Sequence, residues 1–521
     1  MKKYWGICLC SLLAVSAALL FGCSKGEKGG AKEGRQEKTV LTWQIWNDNR
    51  PGGKSFPEIW EEPLNEMLEE KNCPYEIKIE VYYDMSQDWD GEGEFTDPSE
   101  KLKKAAQQGV RADIVSIPCV SSGGSADTGQ IYYTYYPYRE MAKAGLLEPL
   151  DSFLQSENGE KLREAVPDEQ LRRMQIDGKT YGVSAYLREY HGTAYSVKYL
   201  KQFGIDPESL SGDVFENQEV FQKVQKESGG QVIPYWRAPF LNPGSRGYAD
   251  ESSTDFMSLS PDGVYINFYE TEEWEEHVYR LKEWKEQELI VEDHSQNTPE
   301  FFAMADVAVG NQIYESSYSG YSSKSGDFKI ETMVIPDLSD PILGLYGGES
   351  ATAVASWSEQ KKMAFDFLTL LYVDPDIANL IRYGVEGEDY RLKEGYACCE
   401  EDSLLHFWSS RFTNPLITWP AAGMPKDRYA MVEECYQRFE KNMPEGFYFD
   451  PAPVQEEIDR IHLLFGGTKN RESELYRQLC SGEAKDVSQA LEEFREKLRE
   501  AGAETVLTEA NRQLEEWRNE Q

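Results

Sequence analysis

The fold is decided by "TVLTWQIW" (Thr39–Trp46) and by two similar segments, "YEIKIEVYY" (Tyr75–Tyr83) and "ADIVSIP" (Ala112–Pro118). All three are rich in β-branched and aromatic residues, which is typical of strands. Between them, the spacing of apolar residues predicts helices over Phe56–Lys71 and Pro98–Gln108. Strands that alternate with helices predict an α/β fold, with a parallel sheet covered by helices.

In sheets of this kind, ligands bind beyond the carboxyl ends of the strands. The first predicted strand ends at Trp46, Asn47 and Asp48, and the third is followed by Ser121 and Ser122. These five residues are therefore the first candidates for contact with a ligand.

The amino terminus has the form of a secretion signal. After two lysines, an apolar run extends from Trp5 to Phe21, shorter than the roughly 20 residues that span a bilayer. Its end, "LFGC", resembles the lipobox of bacterial lipoproteins, although Phe21 is larger than the residue usual at that position. The resemblance implies a signal peptide over 1–22 and a diacylated Cys23. An uncleaved membrane anchor is the alternative.

The segment after Cys23 predicts a tether. Residues 23–38 contain no Leu, Ile, Val or aromatic residue, so this stretch cannot bury enough apolar surface to fold. A flexible linker of that length spans about 20 Å. The folded body is therefore expected to begin near Thr39.

Composition limits the classes of partner. The chain has 92 Asp and Glu against 54 Lys and Arg. Such acidity argues against nucleic acid, whose phosphates need a basic surface. The cysteines after Cys23 show no metal spacing and no regular disulfide framework. The sequence therefore allows them to be either disulfide-bonded or free thiols. They are Cys73, Cys119, Cys398, Cys399, Cys435 and Cys480.

Several motifs resemble, in order and spacing, the extracellular solute-binding proteins of ATP-binding-cassette (ABC) importers. They are "DIVSIP", "AKAGLLEPLDSFL", "DGKTYGV", "FFAMADVAVG" and "SEQKKMAFDFLTLLYVDPDIANLIRYGVEGEDY". "LIRYGVEGEDY" and the tail "AGAETVLTEANRQLEEW" are similar to the sugar-type lipoprotein branch of Gram-positive bacteria. The resemblance covers nearly the whole mature chain.

The resemblance implies two discontinuous α/β lobes and a helical C-terminal part. The expected boundaries are 39–145 with 299–344 for lobe 1, and 146–298 with 345–521 for lobe 2. It also implies a monomer without cofactor, anchored on the outer face of the cell membrane. This protein would capture a solute between its lobes and deliver it to the membrane subunits of an ABC permease.

Aromatic content points independently to a mono- or oligosaccharide, because sugar rings stack on aromatic rings. The chain has 31 Tyr and 12 Trp. Besides Trp46, the candidates are Tyr186, Trp236, Trp408 and Trp419, with Glu349 and Arg382 as polar contacts. Core packing is the alternative for any one aromatic residue. Pairing with a carboxylate inside its own lobe is the alternative for Arg382.

Other chemistries fit less well. "SQDWDGEGEFTD" (Ser86–Asp97) resembles a calcium loop, but Ser86 replaces its first Asp and Asp97 its last Glu, so a solvated acidic loop is favoured. The calcium candidates are Asp88, Asp90, Glu94 and Asp97. "DGKT" lacks the first glycine of a phosphate loop, and Asp177-Gly178 predicts a hairpin turn instead. A cell-surface glycoside-cleaving enzyme and a peptide receptor remain the alternative functions.

Overall fold

The computed structural model describes residues 38–520 with internal gaps, and at some strand residues, such as 47, 121–123, 133–135 and 189–191, the backbone only. The gaps are 48–54, 85–97, 120, 124–132, 167, 185–188, 237, 240, 242, 244–247, 252–253, 292–299, 305–331, 343–349, 400–409, 421–443, 445 and 466–472.

Strands and helices are numbered in chain order. The strands are β1 Thr39–Asn47, β2 Tyr75–Asp84, β3 Ile114–Pro118, β4 Ser121–Gly123, β5 Tyr133–Tyr135, β6 Gln175–Ile176, β7 Lys179–Thr180, β8 Gly182–Ser184, β9 Glu189–Ser196, β10 Ile233–Trp236, β11 Ala249–Asp250, β12 Met257–Leu259, β13 Tyr265–Asn267, β14 Ile290–Val291, β15 Phe301–Met304, β16 Thr332–Ile342, β17 Ser350–Val354, β18 Tyr390–Lys393 and β19 Tyr396–Cys399. The helices are α1 Phe56–Glu70, α2 Pro98–Gln107, α3 Pro137–Lys143, α4 Glu157–Ala165, α5 Asp168–Arg173, α6 Val197–Gln202, α7 Gln218–Ser228, α8 Glu272–Glu286, α9 Lys361–Val373, α10 Pro375–Tyr383, α11 Gln455–Phe465, α12 Glu474–Cys480, α13 Val487–Ala501 and α14 Ala503–Glu520.

The first sheet has the strand order β2-β1-β3-β17-β8. β1 is parallel to β2 and β3, as the sequence predicts, whereas β17 is antiparallel to β3 and β8. α1 and α2 end within one residue of their predicted ends. The turn predicted at Asp177-Gly178 is confirmed: it joins β6 to β7 with φ of 50° and 73°, as a hairpin with two left-handed residues requires.

Helix α1 covers the outer edge of the sheet as well as its face. Its apolar residues Trp60 and Leu64 are fully buried. The Asn65 amide donates to the Ile77 carbonyl at 2.8 Å and accepts from the Ile77 N–H at 2.7 Å. The Glu61 carboxylate accepts from the Ile79 N–H at 2.8 Å. Side chains of α1 therefore occupy backbone groups that an edge strand would offer to another chain.

An aromatic cluster fills one side of the first sheet. Trp43 is fully buried and stacks on Trp60, with ring centroids 6.1 Å apart. Phe367 of α9 and Phe412 meet Trp43 edge to face. Residues after 360 thus complete a core that begins at residue 41.

The second sheet has the strand order β14-β10-β15-β9-β16. β10 is parallel to β14 and β15, and β9 is antiparallel to both β15 and β16. Its core contains Tyr195, Phe221, Tyr235, Trp284 and Phe302. A small antiparallel sheet, β11-β12-β13, packs against α8 and the C-terminal helices α11–α14 around a further core. The predicted helical C-terminal part is therefore present.

This pairing corrects the predicted lobe boundaries. Residues 299–344 were expected in lobe 1, but β15 and β16 pair with β9 and β10. Residues 345–521 were expected in lobe 2, but β17 lies inside the first sheet and α9 and α10 pack on it. Among the described residues, we therefore take lobe 1 as 39–184 with 350–420, and lobe 2 as 189–342 with 444–520. An apolar run predicts a strand but not the strand that pairs with it. The sequence therefore assigned these segments to the wrong lobe.

A hydrogen bond between a histidine and a carboxylate connects α11 to the small sheet β11-β12-β13. The His462 Nδ1 lies in hydrogen-bonding contact with the Asp255 carboxylate. That hydrogen bond raises the pKa of His462, partial burial opposes the rise, and the charge of Asp459 adds to it. The pair is most favourable while the imidazole is protonated.

We expect His462→Gln to destabilise the protein in a pH-dependent way. A raised folded-state pKa contributes stability fully below the unfolded pKa of about 6.5, and the contribution is lost as pH rises through the folded pKa. Urea unfolding of wild type and variant should differ by about 1 kcal/mol at pH ~5.5, and by less at pH ~9. A difference independent of pH would contradict this role, and Asp255→Asn serves as the matched variant.

Candidate functional site

The carboxyl ends of β1 and β3 meet at one edge of the first sheet, and Ser350 links them. The Trp46 indole N–H donates to the Ser350 hydroxyl at 3.2 Å, and this hydroxyl donates to the Ile117 carbonyl at 3.2 Å. The start of β17 therefore fixes both strand ends. Hydrogen bonds therefore link the strand ends at the edge that the sequence predicts to meet a ligand.

Trp46 lies at this edge, but its ring is packed by lobe 1. Its side chain is 7 % exposed. The Arg411 guanidinium lies over the ring at 4.3 Å from the centroid, and Phe412 meets it edge to face at 6.1 Å. Arg411 is itself buried, so a cation–π contact covers the ring in this arrangement. Stacking of a solute on Trp46 stays a prediction.

Other candidates at this edge are described only in part. The backbones of Ser121 and Ser122 pair with Tyr135 and Thr134 in the β4–β5 hairpin that follows β3. Asn47 ends β1, and only its backbone is described. The candidates outside the described residues are Cys23, Asp48, Asp88, Asp90, Glu94, Asp97, Tyr186, Glu349 and Trp408.

Arg382 is buried in α10 inside lobe 1. Its Nη1 donates to the Thr418 hydroxyl at 2.8 Å, and its guanidinium lies 5.0 Å from the centre of the Tyr383 ring. Arg382 therefore holds the chain next to Trp419.

Trp419 combines an exposed ring with a fixed backbone. Trp419 is 42 % exposed as a residue, whereas Trp46 and Trp236 are almost covered. The Trp419 N–H donates to the Asn379 amide oxygen at 2.9 Å, and its carbonyl accepts from the Tyr383 hydroxyl at 2.7 Å. It lies near the end of the described part of lobe 1. An exposed aromatic face at such a place can stack on a ligand without reorganisation of the backbone.

Trp236 ends β10 at the carboxyl edge of the parallel part of the second sheet. It is 6 % exposed and stacks on Phe301, with ring centroids 5.2 Å apart. The loop-forming residues of "IPYWRAPFLNPG" predict an irregular segment here, but Trp236 is the last residue of a strand. One face of its ring is occupied by lobe 2 itself.

A junction between the lobes was missed by the sequence reasoning. The Tyr136 hydroxyl, at the start of α3 in lobe 1, donates to the Glu251 carboxylate of lobe 2 at 3.2 Å. Tyr265 donates to the other oxygen at 3.5 Å. Glu251 is fully buried. Burial, and then the nearby charge of Glu251, raise the pKa of Tyr265, so this hydroxyl remains a donor. One glutamate among so many acids gave no signal in the sequence.

Two further properties concern the described part of the chain. There, no group of three or more His, Cys, Asp or Glu residues is placed to hold a metal ion. In the same residues, no helix is both long enough and apolar enough to cross a membrane.

Family comparison matches two parts of the chain. Residues 91–384 match the family described as bacterial extracellular solute-binding proteins. Residues 444–519, which contain α11–α13 and all but the last residue of α14, match a domain of unknown function, DUF3502. The first match covers more than half of the chain, with all of the second sheet and β3, β8 and β17 of the first.

Individual relatives agree with that family. The carbohydrate ABC transporter substrate-binding protein of Streptococcus pneumoniae is 22 % identical over 391 residues, which is 70 % of this chain and 74 % of the relative. The crystal structure of the N-glycan transport solute binding protein NgtS from the same species has a TM-score of 0.64 and 18 % identity, over 93 % of this chain and 100 % of that one. NgtS in complex with Man5GlcNAc has a TM-score of 0.51 and 19 % identity, over 93 % and 100 %. At these identities, the likeness shows a common fold.

Proposed function

Because this chain belongs to the bacterial extracellular solute-binding proteins, we propose that it captures an oligosaccharide between its two lobes and delivers it to an ABC permease. The family consists of binding proteins, so the glycoside-cleaving alternative is set aside. The observation that carries the proposal is Trp419, an exposed ring on a fixed backbone at the end of lobe 1. The apolar face of a pyranose ring stacks on such a surface.

The relatives support a carbohydrate in particular. NgtS was crystallised with Man5GlcNAc, and the pneumococcal sequence relative is described as a carbohydrate ABC transporter substrate-binding protein. Trp46 and Trp236 end strands of different sheets, at edges where α/β folds bind ligands. In the proposal, Arg411 and Phe301 hold the rings of Trp46 and Trp236 in place at these edges. Trp419 supplies the ring that the solute can reach.

The mechanism follows from binding thermodynamics. A solute that touches both lobes binds the closed arrangement more tightly than the open one, and this difference alone shifts the equilibrium. Closure then marks the loaded protein for the permease. We infer that the protein works as a monomer, since one chain supplies both lobes.

A thermal-shift screen tests the solute class. We expect Man5GlcNAc or a related oligosaccharide to raise the melting temperature, because a ligand at 100 times its Kd adds about 2.7 kcal/mol of stability. Recovery of the intact sugar, measured by mass spectrometry, separates binding from cleavage. Stabilisation by peptides and by no sugar would overturn the carbohydrate assignment.

We further propose that acyl chains on Cys23 hold the protein at the outer face of the cell membrane, on the linker 23–38. Two chains, at about 0.8 kcal/mol per buried CH₂, give stable anchoring. Cys23→Ala should release the protein into the medium or leave it unprocessed, as cell fractionation and mass spectrometry would measure. Cys73→Ala is the matched control and should stay with the membrane. A processed, membrane-bound Cys23 variant would contradict the anchor.

A further inference from the structure

The segment Phe447–Phe449 inserts alternate side chains into the two lobes. Phe447 and Phe449 are buried in the core formed by the small sheet and the C-terminal helices of lobe 2. Tyr448, between them, packs against the core of lobe 1. Successive side chains of an extended segment point in opposite directions, so three residues reach both cores. We call this segment the strap.

Contacts on both sides hold the strap. On the lobe 2 side, the Phe447 ring lies 5.8 Å from Trp517 and 6.2 Å from Tyr265. On the lobe 1 side, Tyr448 meets Tyr136 edge to face at 6.2 Å, and the Arg139 guanidinium lies 5.4 Å from the centre of the Tyr448 ring. Each lobe therefore holds its own part of the strap.

Two further features fix the path of the strap. Arg139 also donates to the Phe449 carbonyl at 3.5 Å. Gly446, just before the strap, has a φ of +85°, a left-handed conformation that favours glycine. A Cβ at Gly446 would lie 3.5 Å from the Gln175 carbonyl of β6 in lobe 1, so the chain runs close to that lobe before it enters lobe 2.

Tyr136 joins the strap to the second tie between the lobes. Its ring contacts Tyr448, and its hydroxyl donates to the fully buried carboxylate of Glu251. A carboxylate in this position depends on its hydrogen-bond donors, because removing a donor leaves buried charge poorly compensated. Separation of the lobes at Tyr136 would break its ring contact with Tyr448. It would also remove a hydrogen-bond donor from the buried Glu251 carboxylate.

We propose that Tyr136, Glu251 and the strap form a fixed pivot that is kept in every lobe arrangement. Rotation about this point moves its atoms least and preserves the contacts that are costly to break. This inference rests on the proposed function, in which a solute draws the lobes together. The pivot couples the lobes whether or not a solute is present.

Tyr448→Ala tests the coupling without any solute. We expect small-angle X-ray scattering to give a larger radius of gyration and a broader distance distribution, and calorimetry to resolve two unfolding transitions where wild type shows one. Tyr448→Phe keeps the ring and should behave as wild type. An unchanged radius of gyration and a single transition in Tyr448→Ala would overturn the pivot.

A second pair of variants covers the case in which Tyr448→Ala does not fold. Tyr136→Phe removes only the hydroxyl that crosses between lobes, whereas Tyr265→Phe removes the Glu251 donor that lies within lobe 2. We expect the former to enlarge the radius of gyration and the latter to lower the melting temperature without enlargement. The same enlargement in both variants, or in neither, would overturn the pivot.

Titration with Man5GlcNAc distinguishes a pivot from a latch that must open. A pivot that orients the lobes predicts weaker binding by Tyr136→Phe, about three- to thirtyfold, as a loss of preorganisation. Tighter binding would mean that the contact opposes closure, and it would overturn the proposal. If wild type binds no sugar, the proposed function is wrong. The scattering measurements without solute then still test whether the pivot exists.

Discussion

Trp46→Ala lowers the free energy of unfolding by about 3–5 kcal/mol, the range for a large aromatic residue removed from a core. Trp46 is buried, and Arg411 and Phe412 pack on its ring. The substitution also removes the donor to Ser350, and with it part of the link between the ends of β1 and β3. Urea unfolding, followed by far-UV circular dichroism, measures the loss.

Two variants control this result. Trp46→Phe keeps an aromatic ring and should cost less, since it forfeits the indole donor and part of the packing. Trp419→Ala should remain within about 0.5 kcal/mol of wild type, as surface substitutions usually do. If Trp46→Ala unfolds like wild type but loses affinity for sugar, the ring belongs to the solute site rather than to the core.

Trp419→Ala should weaken oligosaccharide binding by roughly ten- to a hundredfold. Stacking on one aromatic ring is worth about 1–3 kcal/mol, by analogy with bases stacked on aromatic side chains. The backbone is held by Asn379 and Tyr383, so the ring can be removed without moving its neighbours. Isothermal titration with the sugar selected by the thermal-shift screen measures the effect.

Trp419→Tyr should recover most of this affinity, because it restores a ring on the same backbone. Tyr279→Ala is the matched control: Tyr279 is 45 % exposed on α8 and lies in neither predicted edge. It should bind as wild type does. Equal affinity of wild type and Trp419→Ala would remove Trp419 from the site.

Local periodicity made much of the fold predictable. The apolar spacing in α1 and the β-branched runs of β1, β2 and β3 are properties of neighbouring residues, and the structure confirms all four. Pairing is different, since it depends on residues that are distant in the chain. β17 is a short run, "SATAV", that nothing local directs to the position between β3 and β8.

The site was less predictable, because exposure is decided by distant segments. Local context favoured Trp46, at a predicted strand end, and Trp236, among loop-forming residues, over Trp419. Trp46 is covered by Arg411, and Trp236 is stacked on Phe301, whereas Trp419 is left exposed.

The place of β17 in the first sheet delays the completion of that sheet while the protein folds. Ser350, which binds Trp46, is 304 positions away from it in the chain. If the amino-terminal part of the chain folds first, the side of β3 that pairs with β17 stays unpaired until β9–β16 and β17 have become available. Contacts this distant slow folding, and an unpaired strand invites association with other chains. Until β17 pairs with β3, the covered backbone of β2 and the net negative charge oppose association with other chains.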